Sequence, residues 1–353
     1  MTLFDTRTEL AVRGIRNLSA PVSRRAGAGP SDDGHVFLGG IGSSLPVRSD
    51  SPYTVADGHL FHDGTDLGLE IEPVLRPRFY DLSTADGVPY EKIARLHSGN
   101  VLATTVVQTC ARYAEDQRCR FCAIEESLAA GATVAVKTPA QLAEVARAAV
   151  DLDGVAQMVL TTGTSAAPDR GARHLARCVR AIRAACPDLP IQVQCEPPRD
   201  PNTIQELRDA GADTIGIHVE SMDDEVRRRW MPGKSSVTLD DYRAAWREAV
   251  AVFGHNRVST YLLVGLGEDP DELVGHCAEV IEMGVYPFVV PFRPLAGTLA
   301  ADVDRVGPPD ARTLADVTSR VASLLRAAGM RAADQRAGCA ACGACSALPT
   351  LGG

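Results

Sequence analysis

Positive charge is in deficit in this chain: 36 Lys and Arg stand against 45 Asp and Glu, a formal net charge of −9 with a pI near 5.4. A surface of that sign repels a phosphate backbone or an anionic lipid layer, so no nucleic acid and no membrane is expected as the main partner. Long apolar runs are missing too. None approaches the ~18 residues of a membrane span, and the opening MTLFDTRTEL carries acidic residues where a signal peptide has its basic region. The expected location is cytoplasmic. Internal repeats and low-complexity tracts are also lacking. What is present is an ordinary globular composition, 45% hydrophobic and 23% charged, in 353 residues. At ~150 residues per domain this is room for about two domains, or for one large α/β barrel with attachments.

The ten cysteines stand out. Disulfides are not expected in a reducing cytoplasm, so clustered cysteines read as metal-binding or catalytic. Cys110, Cys119 and Cys122 form C-x8-C-x2-C, and Cys339, Cys342 and Cys345 form C-x2-C-x2-C. Cys178, Cys186, Cys195 and Cys277 lie singly in apolar patterns and read as buried packing residues.

From residue 101 to 330, apolar β-branched runs alternate with helical periods, which predicts a parallel sheet with crossover helices. The expected strands are 101–109, 157–163, 191–196, 214–220, 257–266 and 286–293. Expected helices are 138–150, 173–186, 202–210, 238–253 and 269–283. Six βα units in this length suit an incomplete barrel, since a full eight-unit barrel takes about 250 residues. A doubly wound open sheet is the alternative. Strand parity favours the barrel. Ile191, Val193 and Cys195 oppose Gln192, Gln194 and Glu196, while Ile215, Ile217 and Val219 oppose Thr214, Gly216, His218 and Glu220. A polar face of this kind should surround something polar that enters the structure, unless these are simply satisfied polar groups near strand ends. The expected fold class is therefore α/β, a partial (β/α)6 TIM-like barrel. Residues 1–97 should form a small mixed or β-rich N-terminal domain, 98–330 the barrel and 331–353 a cysteine-bearing tail. The first ~30 residues are expected to be mobile.

Cys110 falls at the carboxyl end of the first barrel strand and Cys119 and Cys122 in the loop after it, where barrel enzymes keep their active sites. Three thiolates around an iron–sulfur cubane leave one iron open to an exogenous ligand. A zinc site with one open position is the competing reading, and it would make the chain a noncatalytic zinc-binding module.

These residues resemble the radical S-adenosylmethionine (radical SAM) superfamily, whose usual motif is C-x3-C-x2-C. The first spacing differs here, but the C-x-aromatic-C ending, Cys119-Arg120-Phe121-Cys122, is kept. The resemblance implies a [4Fe-4S] cluster on Cys110, Cys119 and Cys122 that chelates SAM, with Phe121 near the adenine. Thr162, Gly163 and Thr164 match the motif that offers backbone groups to the SAM ammonium. Leu263 and Gly265, in Tyr261-x-Leu263-x-Gly265-x-x-Glu268, match a strand packed beside the adenine. Gln194 on the polar strand face is taken as a further cofactor contact.

At closer range the runs VLATTVVQTC, CRFCAIEESLAAG, TTGTSAAPDRGA, QCEPP, MPGK, VSTYLLVGLGE and GCAACGACSAL are similar to radical SAM proteins of nitrilase-associated bacterial gene clusters. They are also similar to a related sulfur-inserting enzyme of albomycin-type thionucleoside antibiotic biosynthesis. That implies two [4Fe-4S] clusters, SAM, and a low-potential electron donor such as flavodoxin or ferredoxin.

The tail AGCAACGACSAL has the small residues that let a backbone wrap closely around a cluster. Its fourth ligand could be Ser346, another polar group, water or the substrate. By analogy with biotin and lipoyl synthases, an auxiliary cluster held there would donate sulfur, exchanging it for oxygen on a small polar sugar- or nucleoside-like substrate. The alternative is a dehydrogenase or epimerase whose auxiliary cluster relays electrons or anchors substrate. Glu196 and Glu220 are the candidate catalytic residues. His218, Tyr261 and Arg293 are further candidates for binding the SAM ribose or substrate hydroxyls, and Lys234 reads as a solvated loop residue. The N-terminal domain and the tail are expected to close the barrel mouth and shelter a radical.

Overall fold

The computed structural model describes residues 1–16, 18, 34–295, 297–302 and 308–352. It opens with helix α1 (Leu3–Arg13), held by a capping box in which the Thr2 hydroxyl accepts from the Asp5 amide while the Asp5 carboxylate accepts from the Thr2 amide. The expectation of a mobile start is thus corrected for this segment, and residues 19–33 lie outside the described residues. Five strands follow: β1 (Gly34–Leu38), β2 (Ile41–Leu45), β3 (Tyr53–Ala56), β4 (His59–His62) and β5 (Thr65–Pro73). They form an antiparallel sheet in the order β2-β1-β5-β4-β3. Its own core gathers Leu10, Ile15, Val36, Leu38, Leu45, Tyr53, Leu60 and Ile71.

After the short helix α2 (Tyr90–Ile93) comes a second sheet of seven strands: β6 (Arg95–His97), β7 (Val101–Thr105), β8 (Gln157–Thr161), β9 (Ile191–Gln194), β10 (Thr214–Gly216), β11 (Val258–Val264) and β12 (Val285–Pro291). Spatial order follows chain order. Strands β7 to β12 are parallel, and β6 pairs antiparallel at the edge. The sheet curls into a partial barrel, the expected α/β class.

The crossovers are the helices α3 (Ile124–Ala129), α4 (Pro139–Asp153), α5 (Ala172–Ala185), α6 (Asn202–Asp209), α7 (Asp224–Trp230), α8 (Leu239–Phe253), α9 (Pro270–Glu282) and, after the last strand, α10 (Ala311–Ala327). Local chemistry sets their ends. Thr138 and Thr238 make capping boxes with Gln141 and Asp241, Pro139 and Pro270 stand in first turns, and Gly154 closes α4 in the left-handed region at φ 64°. Their apolar stripes pack on the sheet in one continuous core that also takes in Cys178, Cys186, Cys195 and Cys277.

Strands are shorter than expected at their carboxyl ends. The run 214–220 gives only Thr214–Gly216, because Glu220 turns into the left-handed region at φ 62° and meets Leu262 through an isolated bridge. The chain there leaves the sheet to build loops, and those loops form the site.

Two further departures position the site. The polar parity of β9 and β10 is real, yet the polar object it surrounds is the protein's own tail. Thr214 Oγ1 donates to Ala337 O (2.8 Å), Gly338 N donates to Gln157 Oε1 (2.7 Å) and Cys339 N to Gln192 Oε1 (3.3 Å). Gln157 and Thr214 are the first residues of their strands and Gln192 the second of its own, so the tail enters at the amino ends and forms a floor. The expectation that it covers the mouth is corrected. Nor does the N-terminal sheet lie over the mouth at these contacts: Ser44 N donates to Ala344 O, Arg293 donates to Ser44 O, and Gly42 and Gly99 pack against Ser98 and Phe37. Its contacts fall at the two edges of the barrel sheet, beside β6 and after β12.

Candidate active site

The loop after β7 carries the first cysteine trio and is fastened on both sides. Toward β8, Gly163 N donates to Val107 O and Ala111 N to Thr164 O, both at 2.8 Å. Gly163 has to be glycine, since a Cβ there would stand 2.0 Å from Thr109 O. Thr162 donates its hydroxyl to the Gly163 carbonyl. On the other side, Arg120 N donates to Trp230 O, Gly233 N to Gln117 O and the Arg112 guanidinium to Gly233 O. The eight residues between Cys110 and Cys119 therefore form a loop tucked under residues 229–234. Tyr113 N to Cys110 O and Cys122 N to Cys119 O, each 3.0 Å, turn the chain at the thiols. Phe121 and Cys119 pack beside Val226, Trp230, Leu266 and Phe292, with Leu263 next to them.

Two buried charge networks flank this loop. Glu196 accepts from Thr164 Oγ1 (2.8 Å) and Arg170 (2.7 Å), with Arg112 at 3.1 Å. Glu220 pairs with Lys234. Lys234 is only 8% exposed, so its reading as a solvated loop residue is corrected. Burial opposes its ammonium, but the Glu220 carboxylate more than offsets this and keeps it protonated. Burial raises the Cys119 thiol, with Lys234 acting against it, and pushes Cys122 up to about 11. Sequence reasoning missed Lys234 because MPGK looks like an exposed turn. The available signal was the carboxylate at 220, which needs a cation if buried.

The second trio hangs in the lumen from the floor. Gly338, at φ 118°, would place a Cβ 2.0 Å from Gln192 Nε2. The turn Cys339–Cys342 (α11) ends at Gly343, φ 65°. Cys339 Sγ accepts from Tyr261 Oη (2.7 Å) and Gln194 Nε2 (3.2 Å), Cys342 accepts from the Ser98 hydroxyl, and Cys345 Sγ lies 3.8 Å from His97 Nε2. Burial pushes the Cys342 thiol up to about 12. From α1, Arg7 reaches in to donate to Gly343 O and Thr350 Oγ1. Ser346 donates to Val289 O (2.7 Å) and accepts from Leu348 N, so it is turned away from the thiols, which corrects its reading as a fourth ligand. Tyr261 stacks on His218, ring centroids 4.1 Å apart, and its hydroxyl is directed to Cys339, not to a ribose. Glu268 faces His276 at 3.3 Å, with its carboxylate buried.

A cavity of about 320 Å³ lies in the lumen, lined by all three tail cysteines together with Tyr261, Gln194, Leu263 and Thr161. Val101, Ala103, Val159, Phe288 and Val290 make its walls predominantly apolar. Among the described residues no three His, Cys, Asp or Glu side chains are placed to hold a single metal ion. A cubane takes one thiolate per iron, so its ligands stand around a volume and not at a point. The tail trio lines such a volume with a hydrogen-bond neighbour at each sulfur, and the loop thiols are close enough to repel one another as thiolates. Both donor sets fit the iron–sulfur group better than a tetrahedral zinc.

A parallel partial barrel with a cysteine loop at the carboxyl end of its first parallel strand defines a class of cluster-bearing α/β barrels. The model of the radical SAM superfamily matches residues 114–280, just under half of the chain. Cys119 and Cys122 lie inside that match, while Cys110, the N-terminal sheet, β12 and the tail lie outside it. The lipoyl synthase of Halorhodospira halophila is 29% identical over 184 residues, covering 48% of this chain and 51% of its own. The bacteriochlorophyllide c C-7(1)-hydroxylase of Chlorobaculum limnaeum is 28% identical over 139 residues, 39% and 34% of the two chains. The chain thus spans about half or less of these relatives' length. A crystal structure of methylornithine synthase superposes with a TM-score of 0.47 at 17% identity, covering 63% of this chain and 61% of that one. Among the described residues no helix is long and apolar enough to cross a membrane.

Proposed function

We propose that the protein is a radical SAM enzyme with two iron–sulfur clusters facing one chamber, and that it exchanges sulfur for oxygen on a small sugar- or nucleoside-like substrate. The carrying observation is the placement of two cysteine trios at opposite ends of one lumen, the loop trio at the strands' carboxyl ends and the tail trio rising from the amino ends. Cys110, Cys119 and Cys122 would hold the cluster that, given one electron from a low-potential donor, would cleave SAM to methionine and a hydrogen-abstracting 5′-deoxyadenosyl radical, and Cys339, Cys342 and Cys345 would hold the cluster that would supply sulfur. The similarity to lipoyl synthases supports this division of labour.

The chain's own residues bind and exclude. Val101, Ala103, Val159, Phe288 and Val290 present an apolar wall that suits the C–H face of a sugar ring and keeps water out. Thr161 and Gln194 offer hydrogen bonds for its hydroxyls. Phe121 and Leu263, which share one apolar cluster, are the residues this reading gives to the adenine of SAM, and Glu196 with Arg112 and Arg170 forms a charged network beside the loop. A flavodoxin or ferredoxin serves as low-potential donor.

A second reading has one observation in its favour. Hydrogen-bond neighbours at every tail sulfur suit an electron-relaying cluster, as in a dehydrogenase or epimerase. Product analysis separates the two. Anaerobically reconstituted protein with SAM, dithionite and candidate substrates from the gene neighbourhood should yield 5′-deoxyadenosine, and ³⁴S placed in the clusters should appear in the product. The C339A/C342A/C345A variant should keep uncoupled 5′-deoxyadenosine and lose the sulfur product. A dehydrogenated or epimerised product without sulfur overturns the donor role.

A further inference from the structure

Tyr261 lines the lumen, yet nothing in the proposed chemistry uses it. Its ring is wedged between His218, stacked nearly parallel at 4.1 Å, and Phe288 at 5.4 Å, and its backbone N–H is fixed on His218 Nδ1 at 3.2 Å. Held on three sides, the side chain has one direction for its hydroxyl, and that is Cys339 Sγ at 2.7 Å. Gln194 Nε2 adds a second donor to the same sulfur at 3.2 Å and is itself anchored on Gln192 Oε1 (2.8 Å). Cys339 therefore receives two donors from barrel strands, the Tyr261 phenol and the Gln194 amide, where Cys342 accepts from the Ser98 hydroxyl and the Ala344 backbone amide.

We infer that Tyr261 is a positioning residue that sets the reduction potential of the tail cluster through its hydrogen bond to the Cys339 sulfur, an inference that rests on the reading of the tail trio as an iron–sulfur site. A donor on a ligating sulfur draws electron density away from the cluster and stabilises its reduced, more negative form, so the potential rises. At the loop trio the donor is of another kind, the Ile124 backbone amide at Cys122. The two sites would then differ in potential by design of the barrel interior.

The test is an EPR-monitored redox titration of the full chain, reconstituted anaerobically, with Y261F beside the wild type. The variant keeps the ring, its stacking and its volume. The expected result is a downward shift of the tail-cluster midpoint, with the loop-cluster midpoint and the iron content unchanged. An unmoved tail midpoint, or loss of tail iron from Y261F, overturns the inference, because Tyr261 would then be inert or merely structural. The C339S/C342S/C345S variant assigns the two signals. If that variant holds as much iron as the wild type, the cluster reading of the tail fails and the inference with it, a result distinct from an unmoved midpoint.

Discussion

The two cysteine groups sit about one lumen, and they are held in opposite ways. The loop thiols are fixed by backbone: peptide hydrogen bonds to β8 on one side and to residues 229–234 on the other, with turns closed on the cysteine carbonyls. Charge is gathered around them in the Glu220–Lys234 pair and in the Glu196 network with Arg112 and Arg170. The tail thiols are fixed by side chains: Tyr261, Gln194, Ser98 and His97 meet the sulfurs, and Gln157 and Gln192 seat the peptide. A backbone-held loop with charges at its rim suits a site that has to admit a charged cofactor such as SAM. A site whose sulfurs are met by side chains fixed in the fold is preorganised before any small molecule arrives.

The sharpest way to break the comparison is to remove one group and ask whether the other survives. The C110A/C119A/C122A variant should lose all 5′-deoxyadenosine formation while keeping the tail's share of iron and acid-labile sulfide. Turnover equal to wild type in that variant would refute the radical SAM assignment of these thiols. Next in size is the charge at the loop. In K234M the Glu220 carboxylate is left buried without its cation, which should cost about 3–5 kcal/mol, read as a lower urea midpoint. The E220Q/K234M double variant should recover most of this, and a K234M midpoint equal to wild type would show that the pair is not buried. At the other site, G338A places a methyl 2.0 Å from Gln192 Nε2 at φ 118° and should cost about 1–3 kcal/mol. Its iron content should fall by the tail's share only.

The parallel sheet was legible in the sequence because periods of strand and helix alternate cleanly and signals such as Thr138-Pro139 at a helix start and Gly211 and Gly284 after helix ends mark the boundaries. The cysteine spacing was equally plain. Three things were not legible. The short strand β6 has no pattern of its own and forms because β7 offers it an edge. The polar parity of Gln192, Gln194 and Thr214 signalled a polar guest without naming it, since a hydrogen bond to a tail more than 120 residues away leaves no local periodicity. Lys234 was hidden for the converse reason, its turn composition being that of a surface loop while its cation answers a carboxylate fourteen residues earlier.

The smallest expected effect concerns the ring that touches both sides of the comparison. His218 stacks on Tyr261, which reaches the tail, and feels the Lys234 charge, which belongs to the loop. Burial first, and Lys234 second, hold its imidazole down to about 3 from the ordinary 6.5. Tyr261 N–H donates to Nδ1, so that nitrogen carries no proton in the folded chain. Above pH 6.5 the ring is neutral both folded and unfolded, and it contributes no pH dependence. As pH falls from 6.5 toward 3, the unfolded chain takes up a proton that the folded chain refuses, so stability declines by at most about 1.4 kcal/mol per pH unit. In H218Q that proton uptake is absent, and the urea midpoint should fall less steeply between pH 6.5 and 4.5 than in the wild type. Parallel slopes for the two proteins across that window would mean that the ring protonates in place, and that the link between the two cysteine sites is looser than its stacking implies.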